Sequence, residues 1–236
     1  MKKKGKLYLI PTPIAETEYE SLPAYVIEYL HKLQYFIVER ARTSRRFIKA
    51  SGFEGDMQSL HFTELDKRKP DHLPGQLFAP IFKGHDMGLM SEAGMPGIAD
   101  PGALVVAKAH DEDIEIVPLT GPSSLFLSLA ASGLNGQQFA FKGYLPVKRP
   151  ELIKQLSQLS QRIKKSGETQ LFIETPYRNE QLVRTILDLV NPSLKLCIAM
   201  DINGREEFIK TRSIASWKKS KLPNMHKRTV VFLLGK

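Results

Sequence analysis

Short apolar runs that alternate with amphipathic segments predict an α/β chain. In the first half, four-residue segments rich in apolar or aromatic residues predict strands, at Leu7–Ile10, Tyr35–Val38, Met87–Met90 and 114–117. Apolar positions at helical spacing between these runs predict helices, one starting at Ser21–Leu22–Pro23 and others over 43–51, 73–82 and 103–109. Strands that alternate with helices of this size indicate parallel βαβ units.

The second half repeats the alternation in a different order after a break at 118–122, where the chain reads Pro-Leu-Thr-Gly-Pro. The patterns predict helices over 123–132, 151–165 and 180–189, and strands over 171–173, 194–200, 207–211 and 229–234. The last three strands have no helices of comparable length between them, which suits a mixed sheet. We therefore predict two α/β domains, at 1–118 with a mostly parallel sheet and at 119–236 with a mixed sheet.

Length and composition favour a globular protein of a reducing compartment. The chain has 236 residues and one cysteine, Cys197, so an internal disulfide and a thiolate zinc cluster are both excluded. Cys197 lies in an apolar run and is predicted to be a core residue. Because no apolar run approaches the roughly 20 residues that span a membrane, we expect a cytoplasmic protein without a membrane partner.

The charge is distributed unevenly. Residues 1–120 carry 15 basic and 17 acidic side chains, a net charge of −2, whereas residues 121–236 carry 19 and 8, a net charge of +11. This asymmetry indicates a second half that faces a polyanion, and a basic surface that serves only solubility is the alternative.

The segment 91–102, Ser-Glu-Ala-Gly-Met-Pro-Gly-Ile-Ala-Asp-Pro-Gly, follows a predicted strand and precedes a predicted helix. Its three glycines and two prolines predict a tight loop whose main chain can approach a ligand closely. The spacing fits neither a Walker loop nor a dinucleotide-binding loop, so a small adenosine-like ligand is favoured over a phosphate. The alternative is a plain connector.

Two further strand-to-helix segments are candidates for a site. Residues 118–124 fall at the predicted domain boundary, where Ser123 and Ser124 suit either a ligand or the cap of the next helix. In residues 174–179, Glu-Thr-Pro-Tyr-Arg-Asn, Pro176 ends a predicted strand. Glu174 and Tyr177 lie on either side of this proline and are candidates for the site.

Five segments in this order resemble the tetrapyrrole (corrin/porphyrin) methylase family: the first strand with Pro-Thr-Pro-Ile at 10–14, then 91–102, Leu-Thr-Gly-Pro-Ser at 119–123, Gly-Tyr-Leu-Pro at 143–146 and Glu-Thr-Pro-Tyr-Arg at 174–178. The match is best with the branch that modifies small-subunit ribosomal RNA. The resemblance implies a class III methyltransferase that uses S-adenosylmethionine, yields S-adenosylhomocysteine and forms a homodimer. It also implies a cofactor cleft between two α/β domains, and methylation of a cytidine ribose 2′-hydroxyl in ribosomal RNA or the small ribosomal subunit.

Carried over by motif, the resemblance implies a set of cofactor-binding residues: Ile14, Ala93, Gly94, Met95, Ile98, Ser123, Ser124, Glu174, Met200 and Thr229. Candidates for substrate binding are basic or aromatic residues near the same segments: Arg42, Lys148, Arg149, Tyr177 and Arg178. Trp217 suits either stacking on a base or anchoring the second sheet.

No catalytic residue is assigned. A ribose hydroxyl is a poor nucleophile, and Glu39 and Glu92, both near predicted strand ends, are candidates for a general base, with surface ion pairs as the alternative. The six histidines show no metal-ligand spacing, so no metal is expected.

Three segments depart from the ribosomal branch, at 15–17, 39–42 and 201–205. At 39–42 the chain reads Glu-Arg-Ala-Arg where the branch carries acidic residues, and we hypothesise that Arg42 binds substrate phosphate there. These departures leave two alternatives open: a methylase of a tetrapyrrole precursor and a non-catalytic protein that only binds the cofactor.

Overall fold

The computed structural model describes residues 3–15, 19–65 and 73–236. Part of the departure at 15–17, residues 16 and 17, lies outside these ranges. The chain divides into two units, Met1–Ser123 and Ser124–Lys236, a few residues after the boundary that the sequence suggests.

Unit 1 is built on a parallel sheet. Its strands are β1 (Leu7–Ile10), β2 (Tyr35–Val38), β3 (His61–Glu64), β4 (Met87–Met90) and β5 (Ile116–Pro118), in the spatial order β3-β2-β4-β1-β5. Every pair is parallel. The helices are α1 (Ala24–Lys32), α2 (Ala41–Ala50), α3 (Ala79–Phe82) and α4 (Gly102–Asp111).

Helices cover both faces of this sheet. Alternate residues of β1 point to opposite sides, so that Tyr8 and Ile10 pack in one buried cluster with α1 and α2, whereas Leu7 packs in another with α3 and α4. Burial on both faces explains why these strands read as continuous apolar runs.

Unit 2 is built on a mixed sheet. Its strands are β6 (Phe139–Tyr144), β7 (Thr169–Ile173), β8 (Lys195–Met200), β9 (Phe208–Ser213) and β10 (Val230–Gly235), in the order β6-β7-β10-β8-β9. Strands β6 and β7 are parallel and the other pairs are antiparallel. The helices are α5 (Ser124–Ser132), α6 (Arg149–Ser166), α7 (Asn179–Leu189) and α8 (Ile214–Lys218), with α5 on one face of the sheet and α6, α7 and α8 on the other.

The predicted fold class, with a parallel sheet followed by a mixed one, is confirmed. Two local predictions are wrong. The helix expected over 73–82 is limited to Ala79–Phe82, because Pro74 and Gly75 lead into turns and Pro80 cannot donate the N–H that an earlier helical turn needs. Helix α1, which the sequence predicts to start at Ser21–Leu22–Pro23, begins at Ala24 with Pro23 at its N-cap.

Three short elements escaped the sequence patterns: β3, β6 and α8. Strand β3 contains one large apolar residue, Phe62, and is held by backbone pairing with β2, including the N–H of His61 donating to the carbonyl of Gln34 at 2.8 Å. Within the described ranges, no helix has the length and hydropathy needed to cross a membrane.

Candidate functional site

The loops that follow β1 and β4 are joined at the carboxyl end of the unit 1 sheet. The N–H of Thr12 donates to the carbonyl of Gly94 at 2.9 Å, and the N–H of Gly94 donates back to Thr12 at 3.1 Å. Gly94 has a φ of 76°, which L side chains rarely adopt, so this close pairing of the two loops depends on glycine.

A cavity of about 360 Å³ opens beside this junction. Its wall comes from the two loops and from one side of α2, and consists of Thr12, Pro13, Ile14, Ala15, Thr43, Ser44, Arg46, Phe47, Met90, Ser91, Glu92 and Ala93. Its size falls in the range of small-molecule sites, and ligands of open α/β sheets bind at this end of the strands. The cavity brings together the predicted residues Ile14, Glu92 and Ala93.

Sequence reasoning missed the contribution of α2 to this cavity. Thr43, Ser44, Arg46 and Phe47 lie on a helix that reads as a basic surface segment. The available signal was the apolar stripe of α2, because Phe47 and Ile48 face the core and bring the neighbouring polar side chains to the strand ends.

The two candidate general bases lie side by side. The carboxylate of Glu39 accepts the backbone N–H of Glu92 at 3.0 Å. The carboxylate of Glu92 accepts the hydroxyl of Thr43 at 3.4 Å and lies 4.0 Å from Nε of Arg40. Arg40, rather than Arg42, is therefore the arginine beside this carboxylate, and Arg42 is exposed in the first turn of α2.

The second half of the loop is organised by Asp100. Its Oδ1 accepts the N–H groups of Gly97 and Gly102 at 2.8 and 2.7 Å, while Oδ2 is buried with no hydrogen-bond partner within the described part of the chain. Burial raises the pKa of Asp100 above its ordinary value, and the two backbone hydrogen bonds oppose that rise. Met95 and Ile98 belong to this loop but not to the cavity wall, and 47% of Ile98 is exposed.

The segment after β5 packs against the loop after β1. A Cβ on Gly121 would lie 2.1 Å from Cβ of Pro11, so only glycine permits this approach. The hydroxyl of Tyr25 accepts the N–H of Thr120 at 2.9 Å, and this hydrogen bond lowers the pKa of Tyr25. Ser123, which follows, is buried.

The predicted cofactor residues of unit 2 share one end of its sheet, apart from Ser124, which is the first residue of α5. Glu174 follows β7, Met200 ends β8 and Thr229 precedes β10, which runs antiparallel to both strands. Thr229 donates its N–H and hydroxyl to Oδ1 of Asp201 at 3.0 and 2.9 Å. Met200 is buried in the core of unit 2.

The predicted substrate residues of unit 2 lie near this end. Arg178 forms an ion pair of 2.9 Å with buried Glu174, and Tyr177, 71% exposed, meets the ring of His226 edge to face. Lys148 is the N-cap residue of α6 and Arg149 begins that helix, and both are exposed.

Two side chains outside these sets are structural. Cys197 is fully buried, as predicted, and burial raises the pKa of its thiol. Trp217 is 2% exposed and donates its indole N–H to the carbonyl of Leu196 at 2.8 Å, which makes it the anchor of the second sheet.

Solved structures define the class to which this fold belongs. The chain matches the methyltransferase CobJ with a TM-score of 0.64 and 17% identity, covering 98% of this chain and 94% of that one. It matches the cobalamin biosynthetic enzyme cobalt precorrin-4 methyltransferase, CbiF, with a TM-score of 0.61 and 12% identity over the same shares. The fold is therefore that of the class III methyltransferases.

Curated relatives narrow the class to a family. Ribosomal RNA small subunit methyltransferase I of Bacillus subtilis is 30% identical over 207 residues, which cover 87% of this chain and 67% of the relative. The protein of the same name from Buchnera aphidicola subsp. Schizaphis graminum is 28% identical over 240 residues, which cover 99% of this chain and 79% of the relative. No family model matches the chain.

The chain belongs to the family of ribosomal RNA small subunit methyltransferase I. The resemblance inferred from the five motifs is confirmed, and so is the enzyme class, a methyltransferase.

Proposed function

We propose that the protein transfers a methyl group from S-adenosylmethionine to the 2′-hydroxyl of a ribose in small-subunit ribosomal RNA. The observation that carries this proposal is identity of 28% with a ribosomal RNA small subunit methyltransferase over 99% of the chain. Tetrapyrrole methylases share the fold at 17% identity or less, which does not favour a tetrapyrrole as the acceptor.

The unit 1 cavity suits the cofactor. Its volume of about 360 Å³ is of the right order for an adenosyl compound, and its wall combines apolar side chains with the buried polar residues Thr12 and Ser91. The Thr12 hydroxyl makes only long contacts of 3.4 Å to the carbonyls of Ser91 and Gly94, so it can exchange them for a ligand. Ile14, Ala93 and the main chain at Gly94 are the residues that we propose hold the cofactor here.

The cofactor supplies a methyl group made electrophilic by a positively charged sulfur. The chain's own task is to position a ribose hydroxyl in line with that methyl group and to remove its proton. We propose that the carboxylate of Glu92 accepts this proton, because the side chain of Glu92 lines the cavity. Thr43 and Arg40 restrict where this carboxylate lies. Glu39 is a positioning residue, since its carboxylate holds the main chain of Glu92.

The second half of the chain supplies the RNA-binding charge in this proposal. Lys148, Arg149 and exposed Tyr177 combine cations with an aromatic face, the combination that binds single-stranded nucleic acid. Arg178 shares its charge with Glu174 and is the weaker candidate of this set. A homodimeric, cytoplasmic enzyme completes the proposal, as the family resemblance implies.

A substrate panel tests the proposal. Small ribosomal subunits from a Bacillus subtilis strain that lacks the relative, a porphyrinogen and buffer alone are each incubated with the protein and labelled S-adenosylmethionine. We expect label in the ribosomal RNA alone. Label in the porphyrinogen would contradict the RNA assignment, and cofactor binding without transfer to either acceptor would indicate a non-catalytic protein.

A further inference from the structure

The segment from Phe208 to Lys227 has an unusual charge. It carries six basic side chains and no acidic one: Lys210, Arg212, Lys218, Lys219, Lys221 and Lys227. Within the part of the chain that the structure describes, Lys210, Lys218, Lys219 and Lys221 have no carboxylate within ion-pair distance. Their charge is therefore available to a partner.

Much of this charge borders one groove of unit 2. The groove has a volume of about 600 Å³ and runs between β9 and the segment 221–224 that follows α8. Its walls are Phe208, Lys210, Arg212, Trp217, Lys221, Leu222, Pro223 and Asn224. Strand β9 is the edge of the sheet opposite β6, so this groove is distinct from the surface around Lys148 and Arg149.

Arg212 is held in place inside this groove. Its guanidinium lies 5.1 Å from the centre of the buried Trp217 ring, and one of its N–H groups donates to the hydroxyl of Ser220. Ser220 in turn donates to the carbonyl of Ser216 at 2.8 Å. A guanidinium fixed in this way loses little entropy on binding, and its remaining N–H groups match the oxygens of a phosphate.

The wall opposite β9 is also fixed. Met225 is fully buried beneath it, and buried Asn179 donates to the carbonyls of Met225 and Arg228 at 3.2 and 2.9 Å. Lys227 donates its N–H to the carbonyl of Pro176 at 3.1 Å. The groove therefore exists before any partner arrives, which reduces the ordering cost of binding.

We propose that this groove binds the phosphodiester backbone of the RNA substrate as a second contact, with Arg212 binding one phosphate and Lys210 and Lys221 each contacting a neighbouring one. The inference rests on the proposed function, because it takes ribosomal RNA as the polyanion. A repeating line of phosphates fits a groove with Lys210 and the fixed guanidinium of Arg212 on the β9 wall and Lys221 on the other wall. The contact is independent of base sequence, since the groove offers charge rather than an exposed ring for stacking.

The test is the salt dependence of binding to a labelled single-stranded RNA of 20 mixed nucleotides, followed by fluorescence anisotropy. The Lys210→Gln/Lys221→Gln protein removes two exposed cations, and the matched control, Lys49→Gln/Lys83→Gln, removes two exposed cations of unit 1. Each phosphate contact contributes about 0.7 to the slope of log affinity against log salt. We expect the groove variant to lower the slope by about 1.4 and the control to keep that of the unchanged protein.

Arg212→Lys separates geometry from charge. This substitution keeps the positive charge but removes the planar guanidinium, which can donate two parallel hydrogen bonds to a phosphate. We therefore expect weaker RNA binding at an unchanged salt slope. Thermal unfolding of each variant verifies that it is folded, and the salt slope of the folded Lys210→Gln/Lys221→Gln protein decides the inference.

The outcomes distinguish this inference from the proposed function. If the unchanged protein methylates small ribosomal subunits but the groove variant keeps the full salt slope, the groove inference is overturned alone. If the unchanged protein neither binds nor methylates RNA, both fail. Displacement of the labelled RNA by polyglutamate as effectively as by unlabelled RNA would assign the groove to an acidic protein segment and overturn the RNA contact.

Discussion

Glu64 illustrates at the residue scale what a local sequence pattern cannot predict. Its carboxylate accepts the N–H of Ala41 at 2.6 Å, which caps the first turn of α2, while the N-cap residue Arg40 makes no capping bond with its side chain. A cap acceptor typically contributes about 1 kcal/mol to the free energy of unfolding. Because the acceptor comes from β3, 23 residues along the chain, only the strand pairing brings it to the helix.

The burial of Cys197 was predictable by contrast, because its flanking residues are apolar. In the structure the cysteine is fully buried. The burial of Trp217 was not predictable: the lysines that follow it suit a nucleic-acid surface, and its anchoring role depends on a hydrogen bond to Leu196 on a neighbouring element. Local composition predicts burial well where all neighbouring residues are apolar. It predicts burial poorly at the boundary between a core and a charged surface.

Asp100 gives a prediction of pH dependence. Its pKa in the folded protein is raised from the ordinary value of 3.8, so the folded state holds this proton more tightly than the unfolded state does. The resulting stabilisation is present below that value and is lost as pH rises through the folded pKa. Asp100→Asn cannot titrate, so we expect the free energy of unfolding of the unchanged protein, minus that of the variant, to fall between pH 4 and pH 7.

Urea unfolding of both proteins across this range measures the difference, in which the titration of groups that do not interact with Asp100 cancels; Glu39 is the one other carboxylate that acts on the pKa of Asp100. A difference that grows with pH would mean that the two backbone hydrogen bonds outweigh burial at Asp100, contrary to the predicted direction.

At the scale of elements, the apolar runs predicted most of the central strands because these strands are covered on both faces. The edge strands β3, β5, β6 and β9 differ: β3 and β6 went unnoticed, and only parts of β5 and β9 were recognised. Edge strands are partly exposed, so their stability comes from backbone pairing that leaves little trace in the hydrophobic pattern.

The Gly94 loop is the element whose geometry the proposed cofactor site depends on most. Among the described residues, a Cβ here would meet only the carbonyl oxygen of Pro122, at 3.5 Å, so the backbone strain at a φ of 76° is the main cost of adding one. We expect Gly94→Val to disrupt the pairing with Thr12 and to weaken S-adenosylhomocysteine binding at least about tenfold, or about 1.4 kcal/mol. Isothermal calorimetry measures this affinity.

Gly133→Val is the matched control, because Gly133 has a φ of 68° and no atom within 4 Å of its Cβ position. It carries similar backbone strain after α5, in unit 2. Equal cofactor affinity in folded Gly94→Val and Gly133→Val proteins would exclude the 91–102 loop from the cofactor site.

At the scale of the whole molecule, the motifs predicted the family and the order of the two sheets, since five spaced segments carry far more information than any one. Ile14 and Ala93 line a cavity of unit 1, and Glu174 and Thr229 lie at one end of the unit 2 sheet. All of the cofactor and substrate assignments stay predictions, as do the homodimer and the cofactor cleft.

The structure shows where the excess positive charge of the second half lies. The net charge of +11 in residues 121–236 includes the unpaired cations along the β9 groove and the exposed residues at the start of α6. Composition predicted a polyanion partner for this half, but the groove itself depends on how β9, α8 and the segment after them pack together.

The methyl acceptor that we propose is a ribose hydroxyl of small-subunit RNA. Small ribosomal subunits that lack the modification are incubated with the protein and S-adenosylmethionine, and the RNA is digested to nucleosides for mass spectrometry. We predict one additional 2′-O-methylated nucleoside per subunit, formed without added metal. A methyl group found on a base, or no new methylated nucleoside in the presence of a folded, cofactor-binding protein, would contradict the account.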